Sequence, residues 1–116
     1  MELKIINLDY LNEIAAGDHV LIMEMIAIFN TEVPGYIERM HELAGQGRWE
    51  ELGKLAHKAK ASASIMGMSE LATELKQLEK LTLVKKDSEI YTSSIISIER
   101  KFYAGMEELK LLAKTL

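Results

Sequence analysis

The chain has 116 residues, of which 48% are apolar and 28% charged, so it is long enough for a single domain, residues 1–116, with a sizeable core. It contains no cysteine, which excludes disulfides and thiolate metal sites. Fourteen basic and 18 acidic residues give a net charge of −4, which provides no overall attraction for nucleic acid or for an anionic membrane.

The N-terminal sequence MELKIINLDYLNEIAAGD has no basic segment followed by an uninterrupted apolar one, so it does not resemble a signal peptide. No apolar run approaches the roughly 20 residues that a membrane-spanning helix needs. We therefore expect a soluble cytoplasmic domain, and the initial Met1 favours a stand-alone protein.

Apolar residues recur at helical spacing along most of the chain. The pattern predicts a short first helix from Asn7 to near Gly17 and a second helix after Asp18, a residue suited to an N-cap. The apolar rhythm of the second helix keeps its phase across Pro34, which predicts one long helix kinked near the proline, with two separate helices as the alternative. Its Met-rich segment LIMEMIAIF (21–29) is interpreted as core packing rather than an adaptable binding face.

Three more helices follow. The glycines of AGQGR (44–48) predict the turn into the third helix, which ends or bends at Gly67. Ser69 can start the fourth helix, and KKDS (85–88) supplies its basic last turn and the capping residues of the fifth. The fifth helix is predicted to bury Tyr91, Ile95, Ile98, Phe102, Met106, Leu109 and Leu112. With no strand predicted, the fold class is all-α: an up-down-up-down four-helix bundle with a short additional N-terminal helix over one end.

His57 is the residue that this core pattern does not explain. At about 100° per residue, the opposite half of its helix forms the core-facing side. That half contains Leu52, Leu55, Ala56, Ala59, Ser62, Ala63 and Met66. His57 is therefore predicted to face solvent near the middle of the third helix.

Small and basic residues surround the imidazole in this prediction. Gly53 and Ala61 lie one turn before and after His57, and Ser64 lies two turns beyond. A glycine inside a helix costs roughly 1 kcal/mol relative to alanine, and space cleared around the ring would be a compensating reason. Lys54 and Lys60 bring positive charge within reach. The alternative is an ordinary surface histidine on a solvated, lysine-rich face.

The segment AHKAKASASIMG (56–67) resembles the signature of histidine-containing phosphotransfer domains: Ala-His, two variable residues, Lys, a small residue, a Ser/Ala-rich step and Gly. His57, Lys60 and Gly67 match this signature. The similarity covers roughly residues 8–82, including AAGDHVLIMEMIAIFNTEVPGYIERM, Trp49 and LATELKQLE. The chain departs from the family at Ala61, where glycine is usual, which implies a slightly narrower site.

The resemblance implies a phosphoryl carrier in a two-component phosphorelay rather than an enzyme. His57 would accept a phosphoryl group from the aspartyl phosphate of a receiver domain and pass it to another receiver. Lys60 and Lys54 would offset the added negative charge, while Ser64 would either donate a hydrogen bond or only pack on the helix surface. The receiver would supply Mg²⁺, so no cofactor or metal is expected in this chain.

The implied partners are response-regulator receiver domains and a sensor or hybrid histidine kinase. Contact would be transient, through a small patch around His57 that includes Ile65 and Met68. The protein is expected to be a monomer.

Two other interpretations stay open from the residues. A carboxylate-bridged di-metal bundle needs Glu-x-x-His on two helices, and ERMH (38–41) supplies one copy. Lys54 stands where the second copy would need its glutamate, so His41 is interpreted as a partly exposed surface residue. The other alternative is a pseudo-phosphotransfer bundle that binds a signalling partner without carrying phosphate, against which both His57 and Lys60 argue.

Overall fold

The computed structural model describes residues 5–84 and 88–116, and this part of the chain contains helices and no strand. Five helices follow one another: α1 (Leu8–Ile14), α2 (His19–Gly45), α3 (Trp49–Ile65), α4 (Ser69–Val84) and α5 (Ser88–Ala113). The all-α prediction is confirmed, and the predicted helices occur in the predicted order. The turn predicted from KKDS lies mostly outside the described residues.

Capping residues set the first two helix starts, as the sequence predicts. The Asn7 side chain accepts a hydrogen bond from the backbone N–H of Tyr10, and the Asp18 side chain accepts two from Val20 and Leu21. These bonds satisfy N–H groups that have no partner within the helix. They place the boundaries of α1 and α2 at the predicted positions.

Helix α2 continues through Pro34 as a single 27-residue helix, so the alternative of two separate helices is wrong. Proline lacks the N–H that would bond the carbonyl four residues earlier, which costs one bond of the helical ladder. Both Pro34 and Asn30, four residues before it, are exposed, so water is available to the freed carbonyl.

The helices pack as neighbours around one apolar core. Helix α2 packs against α3 and α5, and α4 packs against α3 and α5. Phe29 and Phe102 meet in the core with ring centroids 5.8 Å apart, and Trp49 stacks on Tyr91 at 4.4 Å. The apolar residues predicted for α5 are all buried except Met106, which is partly buried.

The Met-rich segment of α2 is only partly core, so its prediction is wrong in part. Ile22, Ile26 and Phe29 are buried, whereas Met23 and Ile28 are exposed. Helix α2 is also long and apolar enough, by length and composition alone, to cross a bilayer. The sequence prediction did not identify this property of α2 because it considered only uninterrupted apolar runs. The core helix of a soluble protein also meets these criteria of length and composition.

The segment that leads into α1 is attached to the α3–α4 turn and to α5. The N–H of Asn7 donates to the carbonyl of Gly67 at 3.0 Å. The N–H groups of Ile5 and Ile6 donate to the carboxylate of Glu108 on α5. The start of α1 is therefore attached at the end of the molecule where α3 turns into α4.

Candidate functional site

His57 projects from the middle of α3, on the side opposite the core. Leu52, Ala56, Ala59 and Ala63 of the same helix are buried, whereas 65% of the His57 side chain is exposed. The predicted orientation of the histidine is confirmed. Most of the imidazole is therefore accessible to solvent.

Glu79 of α4 binds one of the two ring nitrogens. Its Oε2 lies 2.8 Å from Nδ1 of His57, and its Oε1 lies at 3.3 Å. An ionised carboxylate only accepts hydrogen bonds, so Nδ1 carries the proton in this contact. In the neutral ring the lone pair then resides on Nε2, which is the nitrogen available as a nucleophile.

Glu79 was assigned no role from the sequence, although a signal for it existed. Helices α3 and α4 are joined by a short turn at Gly67 and Met68. Residues equally far from that turn on its two sides face each other in a helical hairpin. Counting from His57 in this way leads to Leu78 or Glu79, of which Glu79 is the one that can bind an imidazole.

The two lysines predicted near the ring have different surroundings. Lys60 is 27% exposed, and its Nζ lies 3.9 Å from Oε1 of Glu79, so it shares a carboxylate with His57. Lys54 is 76% exposed and lies 3.6 Å from Glu50, its neighbour one turn away on α3. Only Lys60 is therefore held beside the ring.

Gly53 is buried, which corrects the prediction that it belongs to the solvent face. A Cβ built at this position would overlap Oγ1 of Thr82 on α4 and lie 3.3 Å from its Cβ. The sequence prediction placed Gly53 by its angle around α3 alone, which does not show how closely a second helix approaches. An open groove beside His57 is lined by residues of both helices: Glu50, Gly53, Lys54, His57, Glu79, Thr82 and Leu83.

Ser64 and Gly67 lie away from the ring. Ser64 is exposed in a different depression, beside Asn7 and Tyr10, and the hydrogen-bond partner of the ring is Glu79 instead. Gly67 ends α3 with a φ of +74°, and a Cβ there would lie 2.8 Å from the carbonyl oxygen of Asn7. The glycine of the signature therefore shapes the end of the hairpin rather than the surroundings of the imidazole.

Two of the predicted surface positions are exposed and one is not. Ala61 and Ile65 are exposed on α3, in agreement with the prediction. Met68 is fully buried, so its assignment to the contact patch is wrong. Its side chain occupies the space left by Gly105 on α5, where a Cβ would lie 2.5 Å from the Met68 methyl group.

Within the described residues no group of three or more His, Asp or Glu side chains is arranged to hold a metal ion. His41, from the single Glu-x-x-His sequence, is exposed, and its Nε2 lies 2.6 Å from Oε1 of Glu99 on α5. This contact links α2 to α5 and accounts for His41 without a metal.

Comparison with known proteins identifies the family. The Hpt domain family model matches residues 24–116, which includes His57, Lys60 and Glu79. Searches of curated proteins and of solved structures found no match. The chain belongs to the Hpt domain family, as the resemblance indicated. It has a phosphotransfer-related role in two-component signalling, in which the partners are receiver or kinase domains.

Proposed function

We propose that this protein carries phosphoryl groups in a two-component phosphorelay, with His57 as the phosphorylated residue. The observation that carries this proposal is the state of the ring: most of the side chain is exposed, and its Nδ1 is bound to Glu79. The nucleophilic nitrogen therefore points away from the carboxylate that holds the ring. In the proposed reaction, a receiver domain supplies an aspartyl phosphate and a second receiver accepts the group from His57.

The transfer step uses the two ring nitrogens differently. The Nε2 lone pair of the neutral ring attacks phosphorus, the N–P bond forms, and the bond from phosphorus to the aspartate oxygen breaks to leave a carboxylate. The Nδ1 proton stays in place, so the phosphorylated ring gains a formal positive charge. Glu79 lies against that charge and stabilises it, as the acidic residue of a Ser-His-Asp triad stabilises an imidazolium.

Lys60 has a separate task in this proposal. A phosphoryl group on Nε2 adds negative charge across the ring from Glu79, which is itself acidic. The Lys60 ammonium lies within 3.9 Å of that carboxylate and offsets part of the repulsion. Lys54 contributes less because it is more exposed and already faces Glu50.

The bundle arrangement, the location and the partners of the protein are part of the same proposal. The neighbour relations of α2 to α5 support an up-down-up-down bundle with α1 over one end. The protein acts as a cytoplasmic monomer and a carrier rather than a catalyst, binding receiver domains and a sensor or hybrid kinase. It needs no cofactor of its own, and Mg²⁺ is required at the receiver.

The test is transfer of labelled phosphate from a panel of phosphorylated receiver domains in the presence of Mg²⁺. We expect a phosphoramidate that is labile to acid and stable to base, and His57→Gln should abolish labelling while the helical circular dichroism stays unchanged. His41→Gln is the matched control, since it removes another exposed histidine. Labelling that survives in His57→Gln would contradict the assignment. Binding of a receiver without any labelling would favour the pseudo-phosphotransfer alternative.

A further inference from the structure

The contact between Gly53 and Thr82 lies one helical turn from the contact between His57 and Glu79. Gly53 faces Thr82, while four residues later on α3 His57 faces Glu79, three residues earlier on α4. Helices α3 and α4 are therefore antiparallel here, and the two contacts are successive steps of one interface. A change in helix separation at the first contact is transmitted to the second, because a helical turn is rigid over this distance.

Close packing at the first contact leaves no space for a larger residue. Gly53 is buried. Among the residues whose side chains the structure describes, Thr82 is the only buried one that is polar or charged. The Thr82 hydroxyl donates to the carbonyl of Glu79 at 2.5 Å, which orients its side chain towards α3. A Cβ on residue 53 would overlap this hydroxyl oxygen and lie 3.3 Å from the Thr82 Cβ.

Rotation of the Thr82 side chain would not relieve the overlap cheaply. Either rotation would break the hydroxyl's hydrogen bond to the Glu79 carbonyl in a buried location, and one of the two would also put the threonine methyl group in the place of the oxygen. The remaining response is an outward shift of α4. Such a shift carries Glu79 away from His57, where the shorter contact is only 2.8 Å.

We propose that Gly53 and Thr82 are positioning residues that set the separation of α3 and α4 and thereby hold Glu79 on Nδ1 of His57. If His57 carries phosphate as proposed above, phosphoryl transfer depends on Gly53, four residues before the histidine. This role replaces the idea that Gly53 clears space for the ring. Neither residue touches the transferred phosphoryl group in this account.

The test measures the tautomer of His57 in the unphosphorylated protein by long-range ¹H–¹⁵N correlations at a pH where the ring is neutral. We expect the wild-type protein to show the proton on Nδ1. Gly53→Ala should move the ring towards the Nε2–H tautomer, as Glu79→Ala should also do. Thr82→Ala alone should keep the proton on Nδ1, because it removes bulk from the interface and leaves Glu79 in place.

The double variant Gly53→Ala/Thr82→Ala decides the proposal. It adds a methyl group at residue 53 on α3 and removes the hydroxyl and methyl groups of residue 82 on α4, so it should restore the Nδ1–H tautomer of His57. Gly35→Ala is the matched control, since Gly35 also lies within a helix and a Cβ there meets nothing within 4 Å. An unchanged tautomer in Gly53→Ala, or no recovery in the double variant, would overturn the proposal.

Two further outcomes are also informative. If Gly53→Ala alone does not fold, recovery of folding and of the Nδ1–H tautomer in the double variant supports the proposal, and failure to recover overturns it. Phosphoryl transfer is measured in parallel, and we expect a loss of about tenfold in Gly53→Ala with recovery in the double variant. The tautomer does not depend on phosphate, so failure of the positioning proposal remains distinguishable from failure of the proposed function.

Discussion

The imidazole of His57 combines exposure with a fixed proton, and these two properties come from different helices. Exposure follows from the position of His57 on α3 and is readable from helical periodicity. The fixed proton follows from Glu79, 22 residues later on α4. Periodicity within one helix carries no information about the side chains that a second helix brings, so the sequence predicted the first property and missed the second.

Lys60 is expected to affect the chemistry more than the fold. Its partly exposed ion pair with Glu79 is worth about 0–1 kcal/mol, so Lys60→Ala should change the free energy of unfolding by no more than that. The same variant should slow transfer to His57 or shorten the lifetime of the phosphohistidine severalfold. Lys110→Ala, which removes an exposed lysine of α5, should leave the transfer rate and the phosphohistidine lifetime unchanged. Wild-type rate and lifetime in Lys60→Ala would remove Lys60 from the mechanism.

Ala61 tests access to the ring, because it is exposed one turn beyond His57. Ala61→Gly should destabilise the protein by roughly 1 kcal/mol, the difference in helix propensity, while transfer stays equal or becomes faster. Ala61→Leu should keep the fold, since leucine is a good helix former, and should slow transfer about tenfold or more by crowding the incoming receiver.

The control for this pair is Ala104→Leu, an exposed alanine of α5. It should leave both stability and transfer near their wild-type values. If access is the cause, urea unfolding should show a loss of stability only in Ala61→Gly, and labelled receivers should show a loss of transfer only in Ala61→Leu. A wild-type rate in Ala61→Leu would show that this side of the ring does not contact the receiver.

At the scale of the helices, the boundaries were predictable and the distances between helices were not. Asn7, Asp18 and Gly67 mark their helix ends by chemistry that acts within a few residues. Burial of Gly53 depends on how closely α4 approaches α3, which no local pattern encodes. Met68 was misplaced for a similar reason: it follows the end of α3, where the angular rule of that helix no longer applies, and it fills the space beside Gly105.

Gly67 should be needed for the joint between α1 and the α3–α4 hairpin. Its φ of +74° disfavours any residue with a Cβ, and that Cβ would also lie 2.8 Å from the carbonyl oxygen of Asn7. Gly67→Ala should therefore cost about 1–2 kcal/mol for the backbone conformation and a further ~1 kcal/mol or more for the overlap.

Gly17→Ala separates the two contributions. Gly17 has the same φ of +74°, but a Cβ there meets nothing within 4 Å. Urea unfolding should show a smaller loss of stability for Gly17→Ala than for Gly67→Ala, and amide exchange near Asn7 should accelerate only in the latter. Equal losses would mean that the contact with Asn7 contributes nothing beyond the backbone conformation.

Across the whole molecule, which measures 44 × 22 × 19 Å, ionic contacts link helices that are distant in sequence. Lys101 of α5 donates to Glu70 at 3.0 Å and lies 2.7 Å from Glu74, both on α4. The Ser97 hydroxyl donates to the other oxygen of Glu74. Hydrogen bonds to Glu74 and then to Glu70 raise the pKa of Lys101 above its usual value. This cluster fastens α4, which carries Glu79, to α5.

Replacement of Lys101 by methionine tests the contribution of this cluster. At neutral pH, Lys101→Met should lower the free energy of unfolding by about 1–3 kcal/mol, because a buried oxygen of Glu74 loses its neighbouring ammonium group. Since the folded pKa of Lys101 is raised above the unfolded value, its stabilisation is fully present below the unfolded pKa, near 10.5, and is lost as the pH rises through the folded pKa.

The stability difference between the wild-type protein and Lys101→Met should therefore be constant from neutral pH to about pH 10 and should narrow above it. Burial also raises the pKa of Tyr36, so both proteins lose stability in the same alkaline range, and only their difference reports on Lys101. Urea unfolding of the two proteins at a series of pH values gives that difference directly. Lys76→Met is the control, because Lys76 is exposed on α4 and makes no ion pair within the described residues. A gap between wild type and Lys101→Met that stays unchanged up to pH 11 would show that methionine disturbs packing rather than charge, and the ionic link between α4 and α5 would then contribute no stability.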